Sequence, residues 1–275
     1  MGKLYVVGTP IGNLGDLSVR AAKVLSEVDF IAAEDTRVSL KLLNYLDIKK
    51  PMVSYFEHNI RQRGEEIINR ILAGENCAII TDAGMPCISD PGEDLVALCH
   101  QNGVPMEVVP GPSAVISALA ISGISTKRFS FQGFLSTTKK NRFAHLEEIK
   151  HNTETLIFYE APHKLLSTLR DMRTYLGNRR ISLCRELTKL HEEVFLTTLD
   201  EAVVHYTENN PKGEFVLVIE GADPAAAKEE LTLEQAVQMV RELIEKGDPP
   251  TMACKKIAAQ SGFKKSELYA QITGE

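Results

Sequence analysis

The sequence predicts an α/β protein: a parallel, doubly wound sheet first, a second α/β region after it, and a small helical extension at the end. Three observations carry this expectation. Short apolar runs alternate with helix-period stretches from Lys3 to Ile121. Most of these runs end in loops rich in glycine, proline and acidic residues, at the strand edge where open α/β sheets bind ligands. From Leu233 onward the strand-like runs stop and only helical periods remain.

In chain order, Lys3–Gly8 reads as a strand, followed by the tight loop Gly8-Thr9-Pro10-Ile11-Gly12-Asn13. Asp16-Leu17-Ser18 then caps a helix with apolar residues at Ala21, Ala22, Val24, Leu25 and Val28. This strand–loop–helix unit has neither GxGxxG nor the P-loop spacing, so it is only weakly a dinucleotide or phosphate loop. Phe30–Ala33 is a second strand ending in Glu34-Asp35-Thr36-Arg37, with a helix from Ser39 to Leu46. Met52–Tyr55 is a third, ending in Phe56-Glu57-His58-Asn59, and an amphipathic helix spans Arg63–Ala73.

The stretch Ala78–Gly92 organises the rest. The buried strand Cys77–Ile80 delivers Thr81-Asp82-Ala83-Gly84-Met85-Pro86 and then the second turn Asp90-Pro91-Gly92 to the sheet edge. Gly84 permits positive φ and close approach of a ligand to bare backbone. Pro86 ends the ladder. A helix covers Glu93–His100, and the strand Met106–Val109 ends in Pro110-Gly111-Pro112-Ser113-Ala114, where a small-residue helix opens with free N–H groups suited to an anion.

A boundary falls at Gly123–Lys127, giving domains over residues 1–123 and 124–223 and an extension over 224–275. The second region begins at Ser130–Leu135 and holds the strands Thr155–Tyr159 (ending in Glu160-Ala161-Pro162-His163-Lys164), Arg180–Cys184 (ending in Arg185-Glu186-Leu187-Thr188-Lys189) and Gly213–Glu220, with Glu192–Leu199 extended. Gly221-Ala222-Asp223-Pro224 reads as a linker. The run Lys139–His151 is a solvated helix face and also the clearest basic patch, hence a candidate phosphate contact. In the tail, Leu233–Glu245 is a helix, and Thr251–Gln260 and Lys265–Ile272 flank Ser261-Gly262-Phe263 with helix-turn-helix spacing.

Composition narrows the classes. A chain of 275 residues with 44% hydrophobic content can bury a core and is long enough for two domains. The net charge of -6 argues against non-specific coating of nucleic acid while allowing a local basic face. Five cysteines without CxxC spacing argue for reduced thiols and against a disulfide framework or zinc site. No leader-like run precedes the first strand and no apolar run spans a bilayer, so the expected location is the cytoplasm.

The ordered set Val7–Leu14, Glu34–Arg37, Thr81–Pro86 with Ser89–Gly92, Pro110–Ala114, Tyr159–His163 and Cys184–Lys189 resembles the tetrapyrrole methylase superfamily. It looks most like the branch of ribosomal RNA small subunit methyltransferase I, which methylates the ribose 2′-O of a cytidine in 16S rRNA. The tail matches that branch by helical pattern alone. The resemblance implies two α/β domains with S-adenosylmethionine (AdoMet) in the cleft between them, a homodimer, no metal, and 16S rRNA or the small ribosomal subunit as partner. Carried over residue by residue, the AdoMet contacts are Pro10, Ala83, Gly84, Met85, Ile88, Ser113, Ala114, Glu160 and Leu187.

A ribose hydroxyl is a poor nucleophile and benefits from a general base. Candidates at strand ends facing the implied cleft are Asp82, Glu160, His163 and Glu186, with Asp90, Glu57 and His58 behind them. Asp35, Asp82 and Asp90 are equally readable as caps or loop braces. Arg37, Lys139, Lys140, Arg142, Lys164, Arg185 and Lys189 suit rRNA phosphates, or are solvated or paired with neighbouring acids. Two other functions stay open on the residues. One is methylation of a tetrapyrrole precursor, against which the basic run and the tail argue. The other is a non-enzymatic nucleic-acid-binding protein, against which the loop-rich strand ends argue.

Overall fold

The computed structural model describes residues 1–223 and 232–273. In the first unit the order is β1 (Leu4–Val7), α1 (Val19–Glu27), β2 (Phe30–Ala33), α2 (Thr36–Tyr45), β3 (Met52–Ser54), α3 (Ile60–Leu72), β4 (Cys77–Ile80), α4 (Gly92–Gln101) and β5 (Met106–Val109). The strands pair in the order β3-β2-β4-β1-β5 and every pairing is parallel. Alternation along each strand explains the double winding. Phe30 and Ala32 pack with Ile67, Ile71 and Leu95 of α3 and α4. Ile31 and Ala33 pack with Ala21, Leu25 and Leu43 of α1 and α2. The central β4 is buried at all four positions, as a strand covered on both faces must be. Parallel pairing puts every strand's C-terminal loop at one edge.

The second unit opens with α5 (Ala114–Ile121) and continues β6 (Phe129–Phe134), α6 (Lys139–Ile149), β7 (Thr155–Glu160), α7 (Pro162–Leu176), β8 (Arg180–Arg185), β9 (Glu193–Thr198), α8 (Leu199–Glu208) and β10 (Phe215–Ile219). Its sheet is mixed, in the order β6-β7-β10-β8-β9. β6 and β7 are parallel, and the remaining pairs are antiparallel. Helices α6 to α8 cover one face through Leu146, Leu165, Leu169, Met172 and Ala202. On the other face Val115, Ala118 and Leu119 of α5 pack on Ile157, Val216 and Val218. Thus α5 leaves the first sheet's edge and seats on the second sheet.

The tail helices α9 (Leu233–Glu245), α10 (Pro250–Ser261) and α11 (Lys265–Thr273) bury a core of their own around Val237, Val240, Cys254, Ile257 and Leu268. Gly262 turns α10 into α11 with φ of 77°. The linker residue Pro224 lies outside the described residues. Two helices are additional to those read from the sequence. These are α7, whose Leu165, Leu169, Met172 and Leu176 form a clear helical stripe, and α8, which opens with a Thr198–Glu201 capping box. Helix α2 also starts earlier than expected. The Asp35 side chain accepts from the Arg37 amide and caps it, so Arg37 sits in a helical first turn. All five cysteines are free thiols, and no described helix is long and apolar enough to cross a membrane.

Candidate functional site: a cleft between the two sheets

The loops at the first sheet's edge are tied into one surface. Thr9 and Gly84 form an isolated bridge, with Thr9 N donating to Gly84 O at 2.9 Å and Gly84 N to Thr9 O at 3.1 Å. The Gly111 amide lies 3.2 Å from Met85 Sδ. Thr81 Oγ1 donates to Glu34 at 2.7 Å, and the Asp35 amide to Asp82 Oδ1 at 3.1 Å. Loops after β1, β2, β4 and β5 are thereby fixed against one another.

The segment after Gly84 is held in a conformation that side chains rarely adopt. Cys87 has φ of 70° and Ser89 of 67°. Asp90 stabilises it by accepting from three amides: Cys87 and Gly92 at 2.9 Å and Ile88 at 3.2 Å. Asp90 is therefore a loop brace. Asp90→Ala leaves these amides without their acceptor while keeping the fold. We expect AdoMet affinity to fall about tenfold, with Asp90→Asn partly rescuing it, as read by calorimetry.

Between this surface and the second sheet lies a cleft of about 680 Å³. From the first unit it is lined by Ile11, Glu34, Thr81 to Met85 and Ile88 to Asp90, and at the head of α5 by Ser113 and Ala114. The second unit contributes Phe134, Tyr159 to Pro162, Cys184, Leu187 and Glu214 to Val216. The cleft thus gathers Ala83, Gly84, Met85, Ile88, Ser113, Ala114, Glu160 and Leu187 of the expected AdoMet set. Pro10 is not on its wall, and its neighbour Ile11 is. Glu214, Phe215 and Val216 arrive because β10 runs antiparallel, so its start pairs with the ends of β7 and β8 (Phe215 opposite Glu160 and Arg185). Phe134 and Cys184 are also additions to the sequence reading.

The acidic candidates separate by their partners. Glu160 is buried at 4% exposure, with one oxygen 2.8 Å from the Ala161 amide and the other 2.5 Å from Thr168 Oγ1. It braces the start of α7. Glu186 lies off the cleft wall, accepting from Lys189 at 2.8 Å and the Glu214 amide at 3.0 Å, and the lysine holds its carboxyl below the usual range. His163 is exposed on the first turn of α7, outside the lining. Asp82 stands in the cleft, where desolvation pushes its carboxyl up and the neighbouring Glu34 and Asp35 add to the rise. The bond from the Asp35 amide opposes that rise, and a carboxylate raised inside a cleft is a candidate general base.

The basic candidates also divide. Arg142 is a correction to the expected RNA set. Its side chain is only 11% exposed, donates to Asp171 at 2.7 Å and to the carbonyls of Ser136 and Thr137, and so ties α6 to α7. Arg185 pairs with Glu193 at 2.8 Å, and Lys189 with Glu186 and Glu214, which makes both internal braces. Arg37 is 88% exposed and chelates Asp35, holding that carboxyl down at about 2. Lys139 and Lys140 are exposed and pair with no acid among the described residues, and Lys164 is half-buried.

The cleft suits AdoMet. Its volume is that of a cofactor site. Its walls combine small residues with bare backbone, and the open first turn of α5 at Ser113 and Ala114 faces inward without a side-chain cap. Among the described residues no group of histidine, cysteine or acidic side chains is arranged to hold a metal.

Comparison with known proteins agrees with this geometry. Residues 3–203 match the family Tetrapyrrole (Corrin/Porphyrin) Methylases. The chain is 45% identical over 270 residues to a Synechocystis protein named ribosomal RNA small subunit methyltransferase I, covering 98% of this chain and 96% of that one. A Thermotoga maritima protein of the same name is 47% identical over 223 residues, covering 81% of this chain and all of that protein. Among solved structures, uroporphyrin-III-C-methyltransferase from Thermus thermophilus superposes with a TM-score of 0.57 at 19% identity, covering 79% of this chain and 94% of that one. Diphthine synthase superposes at 0.61 and 13% identity, covering 80% and 90%. These two share the fold. On the family match and the near full-length relatives, this chain belongs to the tetrapyrrole methylase family, in the group named ribosomal RNA small subunit methyltransferase I.

Proposed function

We propose that this protein is an AdoMet-dependent methyltransferase of small-subunit ribosomal RNA, acting on the ribose 2′-oxygen of a cytidine in 16S rRNA. The observation that carries the reading is the near full-length similarity to proteins of that name. The cleft supports it by offering a cofactor-sized space lined by the Asp82 carboxylate. Bound AdoMet supplies a methyl group already activated on a sulfonium. The protein's part is mainly to align the acceptor, an effect worth roughly 7–11 kcal/mol when geometry is ideal.

In this reading the braced loop 81–90 and the head of α5 grip the cofactor, and Asp82 accepts the proton of the ribose hydroxyl. Arg37, Lys139, Lys140 and Lys164 take RNA phosphates, while Glu160 and Glu186 hold the second unit's loops in place. Asp82→Asn should lower kcat about a hundredfold with AdoMet affinity unchanged. A base works only when deprotonated, so the wild-type rate should fall as pH drops through the raised Asp82 pKa. The Asn variant should lose that limb of the profile.

The units 1–123, 124–223 and 224–275 form part of the proposal, supported by two separate sheets and a separate tail core. Deleting residues 231–275 should leave AdoMet affinity unchanged and weaken RNA affinity about tenfold through loss of Lys255, Lys264 and Lys265. The Thermotoga relative, matched whole by 81% of this chain, is consistent with an accessory tail. A homodimer is also proposed. Helix α5 is apolar but for Ser117 yet leaves Ile116 and Ile121 about half exposed, and the exposed Leu196 of β9 lies beside Gly123, just past its end. The reading places the protein in the cytoplasm with the ribosome.

The test is the chemical position of the added methyl. RNA from unmodified small subunits, treated with the protein and AdoMet and digested to nucleosides, should contain 2′-O-methylcytidine. A base-methylated nucleoside would overturn the assignment of the acceptor atom.

A further inference from the structure

Phe134 is an exposed aromatic ring turned into the cleft by a backbone irregularity. The register of β6 against β7 shifts between Phe131 and Phe134, and Gly133 between them has φ of 66°. Without the shift, residues three apart would face opposite sides of the sheet. With it, both rings meet Tyr159 on the cleft side: Phe131 with ring centres 4.8 Å apart and Phe134 at 5.5 Å. The intervening Gln132 keeps the regular alternation and bonds to Ser130 and His145 on the opposite side. Bulges beside active sites commonly re-aim one side chain in this way.

The ring this delivers is 57% exposed, while the Tyr159 that supports it is half-buried. Beyond it the chain runs directly to Lys139 and Lys140, which are exposed and unpaired among the described residues. The cleft is lined by carboxylates from both units, Glu34, Asp82 and Asp90 from the first and Glu160 and Glu214 from the second, which repel phosphate. A nucleotide entering here therefore brings its base and sugar inward and leaves its phosphates outside, toward the exposed cations that follow Phe134 in the chain.

We propose that Phe134 is the stacking platform for a nucleobase of the RNA strand whose ribose is presented to the cofactor, with Lys139 and Lys140 holding the flanking phosphates. This rests on the reading of the protein as an rRNA methyltransferase. Aromatic stacking is how proteins hold splayed-out RNA bases.

Phe134→Leu keeps the apolar bulk and removes the π face. With small subunits as substrate, KM for RNA should rise about tenfold while the Kd for AdoMet is unchanged, and Phe134→Tyr should restore KM. The chain has no tryptophan, so Phe134→Trp places a single indole at the site. Its emission should be quenched by a single-stranded RNA oligonucleotide and unaffected by AdoMet alone. An unchanged RNA KM in Phe134→Leu, or a weakened AdoMet Kd in its place, would overturn the proposal and leave the rRNA reading intact. A wild-type protein that methylates no RNA overturns that reading and the proposal with it.

Discussion

Gly84→Val should abolish AdoMet binding while the protein stays folded. Gly84 has φ of 88°, in a region that a β-branched side chain scarcely enters. An added Cβ would stand 3.3 Å from Ile11 Cγ2 and 3.5 Å from the Pro112 carbonyl, between the loops that follow β1 and β5. Both of its backbone hydrogen bonds reach Thr9, so the strained residue cannot relax without opening the Thr9 bridge. Strain of this kind costs about 1–3 kcal/mol, and it falls on the cleft wall. Calorimetric titration should give no measurable AdoMet heat, with far-ultraviolet circular dichroism unchanged. An unaltered Kd would remove Gly84 from the cofactor's surface.

Gly8→Ala has the second large effect, and this one reaches the fold. The backbones of Gly8 and Gly111 touch: a Cβ on Gly8 would lie 2.7 Å from both the N and Cα of Gly111, and 2.7 Å from Met85 Sδ. The sulfur can swing away, but the Gly111 backbone cannot. The Gly8 amide donates to Val109 O at 3.0 Å, so relief requires separating the ends of β1 and β5. Overpacking of this sort costs about 1–3 kcal/mol, which lowers Tm by several degrees in a chain of this size. AdoMet affinity should drop with it, since Met85 and Ser113 move apart. A variant with wild-type Tm would show that the two loops are looser than their contact implies.

The alternation in the first unit was readable because each apolar run ends in residues with strong local rules. Asp35, Ser18 and Gly111 mark boundaries that the structure keeps to within a few residues, whereas β4 ends at Ile80, well before Pro86. The strand-end loops were equally readable, which is why Ala83 to Met85, Ser113 and Leu187 fall on one cleft. What escaped follows from topology. Glu214, Phe215 and Val216 stand at the start of a strand, and only its antiparallel direction carries them to the same edge. Phe134 escaped because a bulge at Gly133 breaks the alternation that a sequence pattern assumes. Arg142, Arg185 and Lys189 looked like phosphate ligands because charge type is visible in sequence and pairing is not. Their partners Asp171, Glu193 and Glu214 lie 8 to 29 residues away.

The proposed function joins two parts: the cleft holds AdoMet, and its methyl goes to ribosomal RNA. The assay is transfer of labelled methyl from AdoMet, offered side by side to unmodified small ribosomal subunits, free 16S rRNA and a tetrapyrrole precursor. Label in ribosomal RNA, lost in Gly84→Val, is the predicted result. Label in the tetrapyrrole with none in either RNA would contradict it.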